Sequence, residues 1–118
     1  EGNRVAAAAA KLALVSSYAK KHNKVAALTE VGYRKAPVPP KLYTEFYGAA
    51  LADPSLEIAF MMFWRQGKEG KSGYFVPVAG CDTEGDFLNF ANSSKPLFLS
   101  GLKNMYSVTA FWPHVPEE

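Results

Sequence analysis

Two short apolar runs without alternation, residues 25–29 and 58–64, stand on either side of a helix-like stretch and predict an α/β fold. A run of that kind suits a strand buried on both faces, and strand, helix and strand at this spacing form a βαβ unit of parallel strands with a right-handed crossover. A third observation is the amphipathic segment 5–21 ahead of the first strand. With 118 residues, 48% of them apolar, the chain fits one domain with a modest core.

In the segment 5–21, Val5, Leu12, Val15 and Ala19, with Ala8 between them, fall on one helical face, and the alanine run adds intrinsic propensity. Asn3 is placed to cap its start, Lys20, Lys21 and His22 complement the negative end of its dipole, and Asn23 fits a left-handed stop. The first strand, 25–29, leads directly into Glu30, Val31 and Gly32. A carboxylate at the end of a buried strand, before a glycine-containing turn, is the most unusual single placement in the chain.

Pro37, Pro39 and Pro40 exclude a helix interior or a strand, and Pro40 suits the first turn of a helix reaching about Ala52. Leu42, Phe46 and Ala49 or Ala50 would share its buried face, and Asp53-Pro54 ends it. The second strand, 58–64, holds seven consecutive apolar residues and closes on Trp64 and Arg65. A loop rich in glycine and lysine, 67–73, then leads to Tyr74-Phe75-Val76-Pro77. Thr83 to Asp86 resembles a capping box, with Asp in place of Glu or Gln, before a short helix carrying Phe87, Leu88 and Phe90. Leu97, Phe98, Leu99, Leu102 and Tyr106 suggest a last docking helix before an irregular, proline-interrupted end.

Several classes of function find no support. The apolar fraction argues against disorder and the single Cys81 against a disulfide scaffold, while no apolar run approaches the roughly 20 residues of a membrane span. A net charge of +2, spread along the chain, offers no electrostatic footprint for nucleic acid. His22 and His114 lack the Cys or carboxylate company of a metal site, Cys81 lacks a basic partner, and Glu30-Val31-Gly32 supplies one glycine where a phosphate fingerprint needs three. No metal and no cofactor are expected. Two strands buried on both faces cannot make a closed sheet, so the sequence has missing partners: the rest of a larger domain, or a second copy. The chain reads as beginning inside a larger unit, with no leader of its own.

The stretch Ala27-Leu28-Thr29-Glu30-Val31-Gly32, followed after a helix by Ile58-Ala59-Phe60-Met61-Met62-Phe63-Trp64-Arg65, resembles the C-terminal part of glycoside hydrolase family 26. The similarity continues through Tyr74-Phe75-Val76-Pro77, Gly80, Asp86-Phe87 and Leu97-Phe98 to about Tyr106. That family contains mainly endo-β-1,4-mannanases, retaining glycosidases built on a (β/α)8 barrel. The resemblance implies that residues 1–118 are a single partial domain, the C-terminal fragment of a TIM barrel. It would comprise helix six, strand seven (25–29), helix seven, strand eight (58–64) and the following loop and helix. A complete barrel takes about 250 residues, so strands one to six lie elsewhere.

The same resemblance assigns roles. Glu30 becomes the nucleophile at the end of strand seven and Trp64 part of the sugar-binding floor, while Tyr74 and Phe75 become cleft residues of the loop after strand eight. From the residues, Arg65 fits either a charge-assisted partner that orients Glu30 or a solvated arginine, and Tyr33, which follows the Glu30 turn, is expected to lie outside the site. From the residues alone, Glu30 also fits a solvated turn residue, Trp64 a core or rim aromatic, and Tyr74 and Phe75 simple packing. The family's acid/base glutamate ends strand four and has no counterpart here, so the isolated chain is expected to be inactive. The implied substrate is β-mannan or mannooligosaccharide and the implied location extracellular, with no nucleic-acid or membrane partner. Two other readings stay open, a glycan-binding remnant without turnover and an assembly module whose strand edges recruit another chain. An unpaired strand edge also predicts a partly ordered, aggregation-prone chain.

Overall fold

The computed structural model describes residues 2–34, 37–64, 75–94 and 96–98. Among these residues, three helices and two strands follow in the order α1 (Gly2–Lys21), β1 (Leu28–Val31), a π-helix (Leu42–Gly48), β2 (Met61–Phe63) and α2 (Glu84–Ala91). The strands pair in parallel, with Leu28 opposite Met61 and Val31 opposite Phe63, as the strand–helix–strand pattern predicts. No described helix is long and apolar enough to cross a membrane.

α1 begins at Gly2, so Asn3 lies inside the helix instead of capping it. Its other end follows the sequence closely: Lys20 and Lys21 occupy the last turn, and Asn23 has a φ of 50°. The left-handed residue turns the chain so that the Lys24 N–H reaches back 2.8 Å to the Ala19 carbonyl, satisfying an orphan acceptor of the last turn. The buried face is Leu12, Ser16 and Ala19, whereas Val15 is exposed. Ser16 sits there because its hydroxyl accepts a 2.9 Å hydrogen bond from the Glu57 N–H. Lys20 reinforces the same junction through a 2.9 Å ion pair with Glu57 and a 3.1 Å bond to the Ser55 carbonyl.

The helix expected from Pro40 to Ala52 is a π-helix in its central part, Leu42–Gly48. Its aromatic content goes with the wider turn: Tyr43, Phe46 and Tyr47 all enter the packing. Tyr43 lies within 5.1 Å of the Phe87 ring centroid and 5.8 Å of Phe63, and Tyr47 within 5.5 Å of Phe63 and 5.3 Å of Phe46. Leu42, Tyr43, Tyr47 and Phe90 form the buried cluster, and Val31, Met61, Phe63 and Phe87 close around it. This cluster fixes the π-helix and α2 against one face of the sheet.

Both strands are shorter than the apolar runs that announce them. Val25, expected at the start of the first strand, is 76% exposed, and pairing begins where the Ala59 N–H bonds the Ala26 carbonyl at 2.9 Å. Nor are the strands buried on both faces. Met61 and Phe63 pack on the core, while Phe60, Met62 and Trp64, pointing the other way along the pleat, are 46–53% exposed. Among the described residues the helices pack on the core face of the sheet, which accounts for the difference.

The capping box before α2 is half right. Thr83 is the N-cap but makes no side-chain cap bond. Asp86 is instead drawn to the π-helix, where its carboxylate accepts the Tyr43 N–H at 2.7 Å, the Thr44 N–H at 3.3 Å and the Thr44 hydroxyl. These are the unsatisfied donors of a helix start, capped from a distant part of the chain. The last docking helix falls largely outside the described residues; of its expected members, Leu97 and Phe98 are described and both are exposed.

Two outcomes test this packing. Asp86→Ala should cost about 1–3 kcal/mol in urea unfolding, the scale of a lost cap with charge-assisted bonds. Burial pushes the Tyr47 phenol up to about 12. The folded chain then keeps a proton that an unfolded tyrosine releases near about 10, so this contribution is intact below that pH and is lost as pH rises toward the folded value. Thermal stability should fall across that window and fall less steeply in Tyr47→Phe; an unchanged slope would contradict the assignment.

Candidate active site

The site is built where the two parallel strands end. Between the paired positions, β1 runs through two residues, Thr29 and Glu30, while β2 runs through Met62 alone. An extra residue of this kind breaks strict alternation and re-aims side chains, and such irregularities recur beside functional sites. Here Leu28 and Val31 both turn toward the helices, and Thr29 and Glu30 between them are both exposed. Glu30 therefore lies within β1 as its third residue, one step earlier than the sequence suggests. The ion pairs among the described residues are Lys20–Glu57 and Lys41–Glu45, and neither engages Glu30.

Trp64 follows β2 directly. Its backbone N–H donates to the Val31 carbonyl at 2.9 Å, and its side chain is 46% exposed. The ladder thus ties the main chain of the exposed indole to the residue after Glu30. A carboxylate and a flat apolar surface stand open at the ends of neighbouring strands, an arrangement suited to a pyranose ring, whose hydroxyls are polar and whose faces are not.

Gly32 explains itself once the packing is visible. A Cβ at this position would collide with the ring of Phe75, with Cε1 2.5 Å and Cγ 2.8 Å away. The residue is glycine for close approach, since its φ is not in the left-handed region. Phe75 is correspondingly only 7% exposed, and its carbonyl accepts a 3.1 Å hydrogen bond from the Tyr43 hydroxyl. The structure turns this ring into the protein, so of the two readings open from the sequence, cleft lining and simple packing, it takes the second.

The remaining candidates divide plainly. Tyr74, Arg65 and His114 lie outside the described residues. Tyr33 is half-buried against the aromatic core, and His22 is exposed with its ring 4.2 Å from that of Tyr18. At Cys81 burial raises the thiol, but hydrogen bonds from Thr83 and from the backbone of Val78 and Glu84 outweigh it and lower it overall. Among the described residues no group of three His, Cys, Asp or Glu could hold a metal ion. An apolar cavity of about 230 Å³ lies between α1 and the π-helix, on the side of β1 that Leu28 and Val31 face. Neither Glu30 nor Trp64 lines it. Sequence reasoning passed over Tyr43 and Asp86 as supports of this region, because their partners are far away along the chain; the misfit of Asp in a capping box was the available signal.

Comparison with known proteins gives one clear likeness. The chain superposes on the structure described as "The structure of GH26C from Muricauda sp. MAR_2010_75" with a TM-score of 0.74 and 31% identity, over 86% of its own length. It is a glycoside hydrolase family 26-like segment. The segment covers 28% of that neighbour's chain. No family model and no curated protein matches it. The likeness extends to the glycoside hydrolase relationship, and the three helices and two parallel strands among the described residues are compatible with part of such a domain.

Because Glu30 is exposed and outside both ion pairs, Glu30→Gln in this family 26-like segment should change folding stability by no more than about 0.5 kcal/mol. Urea unfolding of the two chains checks this. A larger loss would make Glu30 a structural residue.

Proposed function

We propose that this segment carries the nucleophile of a retaining β-mannanase, with Glu30 in that role. The observation that supports the reading most directly is Glu30 itself: an exposed carboxylate at an irregular strand end beside exposed Trp64, in a family 26-like segment. On this reading residues 1–118 are the C-terminal part of a (β/α)8 barrel, with β1 and β2 as strands seven and eight. The open sheet face carrying Phe60, Met62 and Trp64 then turns toward the barrel interior. Catalytic residues of such barrels gather at the C-terminal ends of the strands, where Glu30 and Trp64 lie.

Retaining hydrolysis proceeds by two displacements. The Glu30 carboxylate attacks the anomeric carbon of a mannosyl unit, forming a glycosyl ester while the leaving oxygen takes a proton from a second carboxylic acid. That second group then draws a proton from water, which attacks the same carbon and releases Glu30. The two carboxyl groups need to stand about 5–5.5 Å apart. The second is supplied by residues outside these 118, so the segment alone does not turn over β-mannan. Trp64 serves as the platform for the apolar face of the sugar, and Tyr74 is proposed as a second sugar-binding residue. Polymeric mannan as substrate implies an extracellular site of action.

The test is to express the reading frame that encodes this segment, with whatever coding sequence adjoins it, and to assay mannan hydrolysis. Glu30→Gln should lower kcat by about 10⁴-fold or more, the scale on which removing a catalytic nucleophile acts. Azide should restore turnover to Glu30→Ala and yield a mannosyl azide of inverted configuration. Undiminished hydrolysis in Glu30→Gln would sink the proposal. Quenching of Trp64 by mannooligosaccharide without any turnover would favour a glycan-binding role instead.

A further inference from the structure

We propose that Phe75 is a positioning residue for Glu30, acting through the backbone of Gly32 and not by touching the sugar. This inference rests on the reading of Glu30 as nucleophile and adds a residue whose ring never meets the substrate. Glu30 cannot take its orientation from a regular ladder, because β1 has two residues opposite Met62 where one would pair. Its backbone is fixed on the far side, at Val31 and Gly32. Val31 is held by the Trp64 N–H, and Gly32 is held by the Phe75 ring lying where a Cβ would be.

The ring is itself held. The Phe75 carbonyl accepts from the Tyr43 hydroxyl, and Tyr43 is 1% exposed among Tyr47, Phe63, Phe87 and Phe90. Burial, followed by the charge environment of Tyr47, Cys81 and Asp86, keeps the Tyr43 phenol well above its ordinary range. The Tyr43 N–H in turn is anchored on the Asp86 carboxylate at 2.7 Å. A continuous line of contacts therefore runs from α2 through the π-helix and Phe75 to the turn two residues beyond Glu30. Displacing a reacting group by about 1 Å costs about 10²-fold in rate, so a loosened turn should be legible in turnover.

The experiment compares Phe75→Leu, Phe75→Ala, Gly32→Ala and the double variant Gly32→Ala with Phe75→Ala, alongside Glu30→Gln, in the mannan-hydrolysing reading frame. Phe75→Leu and Phe75→Ala should lower kcat by about 10- to 100-fold with KM within about twofold, since the sugar platform is untouched. Gly32→Ala should be as damaging alone, yet nearly without further effect in the Phe75→Ala background, because the ring it collides with is gone. In the 118-residue chain, amide hydrogen exchange across residues 28–34 should quicken in Phe75→Leu, a reading that needs no activity and survives if Phe75→Ala fails to fold. Unchanged kcat in folded Phe75→Leu, or additive Gly32 and Phe75 effects, would overturn the positioning role while Glu30→Gln stays inactive. Full activity in Glu30→Gln would instead remove the nucleophile assignment, and this inference with it.

Discussion

The Tyr43 side chain is the point on which the described structure depends. It is almost wholly buried, its ring meets four other aromatic rings, its hydroxyl binds the Phe75 carbonyl and its backbone N–H binds Asp86. Dispersion and area burial from the ring are non-directional, whereas the two hydrogen bonds fix direction. The combination joins three parts of the chain that no regular hydrogen-bond ladder connects. It also accounts for a carboxylate in an otherwise apolar neighbourhood: Asp86 accepts the N–H groups that the start of the π-helix would leave unpaired.

Against that fixed core, the two faces of the sheet contrast. One is filled by the aromatic cluster, and the other presents Phe60, Met62 and Trp64 to solvent. Single exposed apolar residues are ordinary, but a row at every second position along one strand is a surface shaped for covering. The family 26 likeness, spanning 28% of its neighbour's chain, is consistent with a cover supplied by other residues. Trp64 belongs to that row, and Glu30 stands exposed on the neighbouring strand.

The α/β class and the parallel strand pair were legible because two local signals sufficed. Unalternating apolar runs marked the strands, and the left-handed Asn23 with its flanking lysines marked the end of α1. Element interiors therefore came through better than their edges: Val25 reads as strand by composition but is exposed, because nothing covers that end of the run. The π-helix was invisible, since its pattern of apolar residues differs little from that of an α-helix. Glu30 stood out as a carboxylate at the end of an apolar strand before a glycine-containing turn, and Trp64 as the end of an apolar run. For Phe75 the sequence left cleft lining and simple packing both open, because the choice depends on Gly32 and Tyr43, both more than thirty residues away in sequence.

The π-helix start carries one more consequence, for the order in which the chain acquires its shape. Its cap comes from Asp86, 43 residues downstream of Tyr43, and the hydroxyl that steadies Phe75 spans 32 residues. Closing such loops costs entropy before any contact rewards it, and chains dominated by distant contacts form slowly. α1, whose hydrogen bonds are local, needs none of these closures. During synthesis the carboxylate of Glu30 would emerge well before the residues that steady its turn. The strand end that bears it can settle only after the chain through Asp86 has been made.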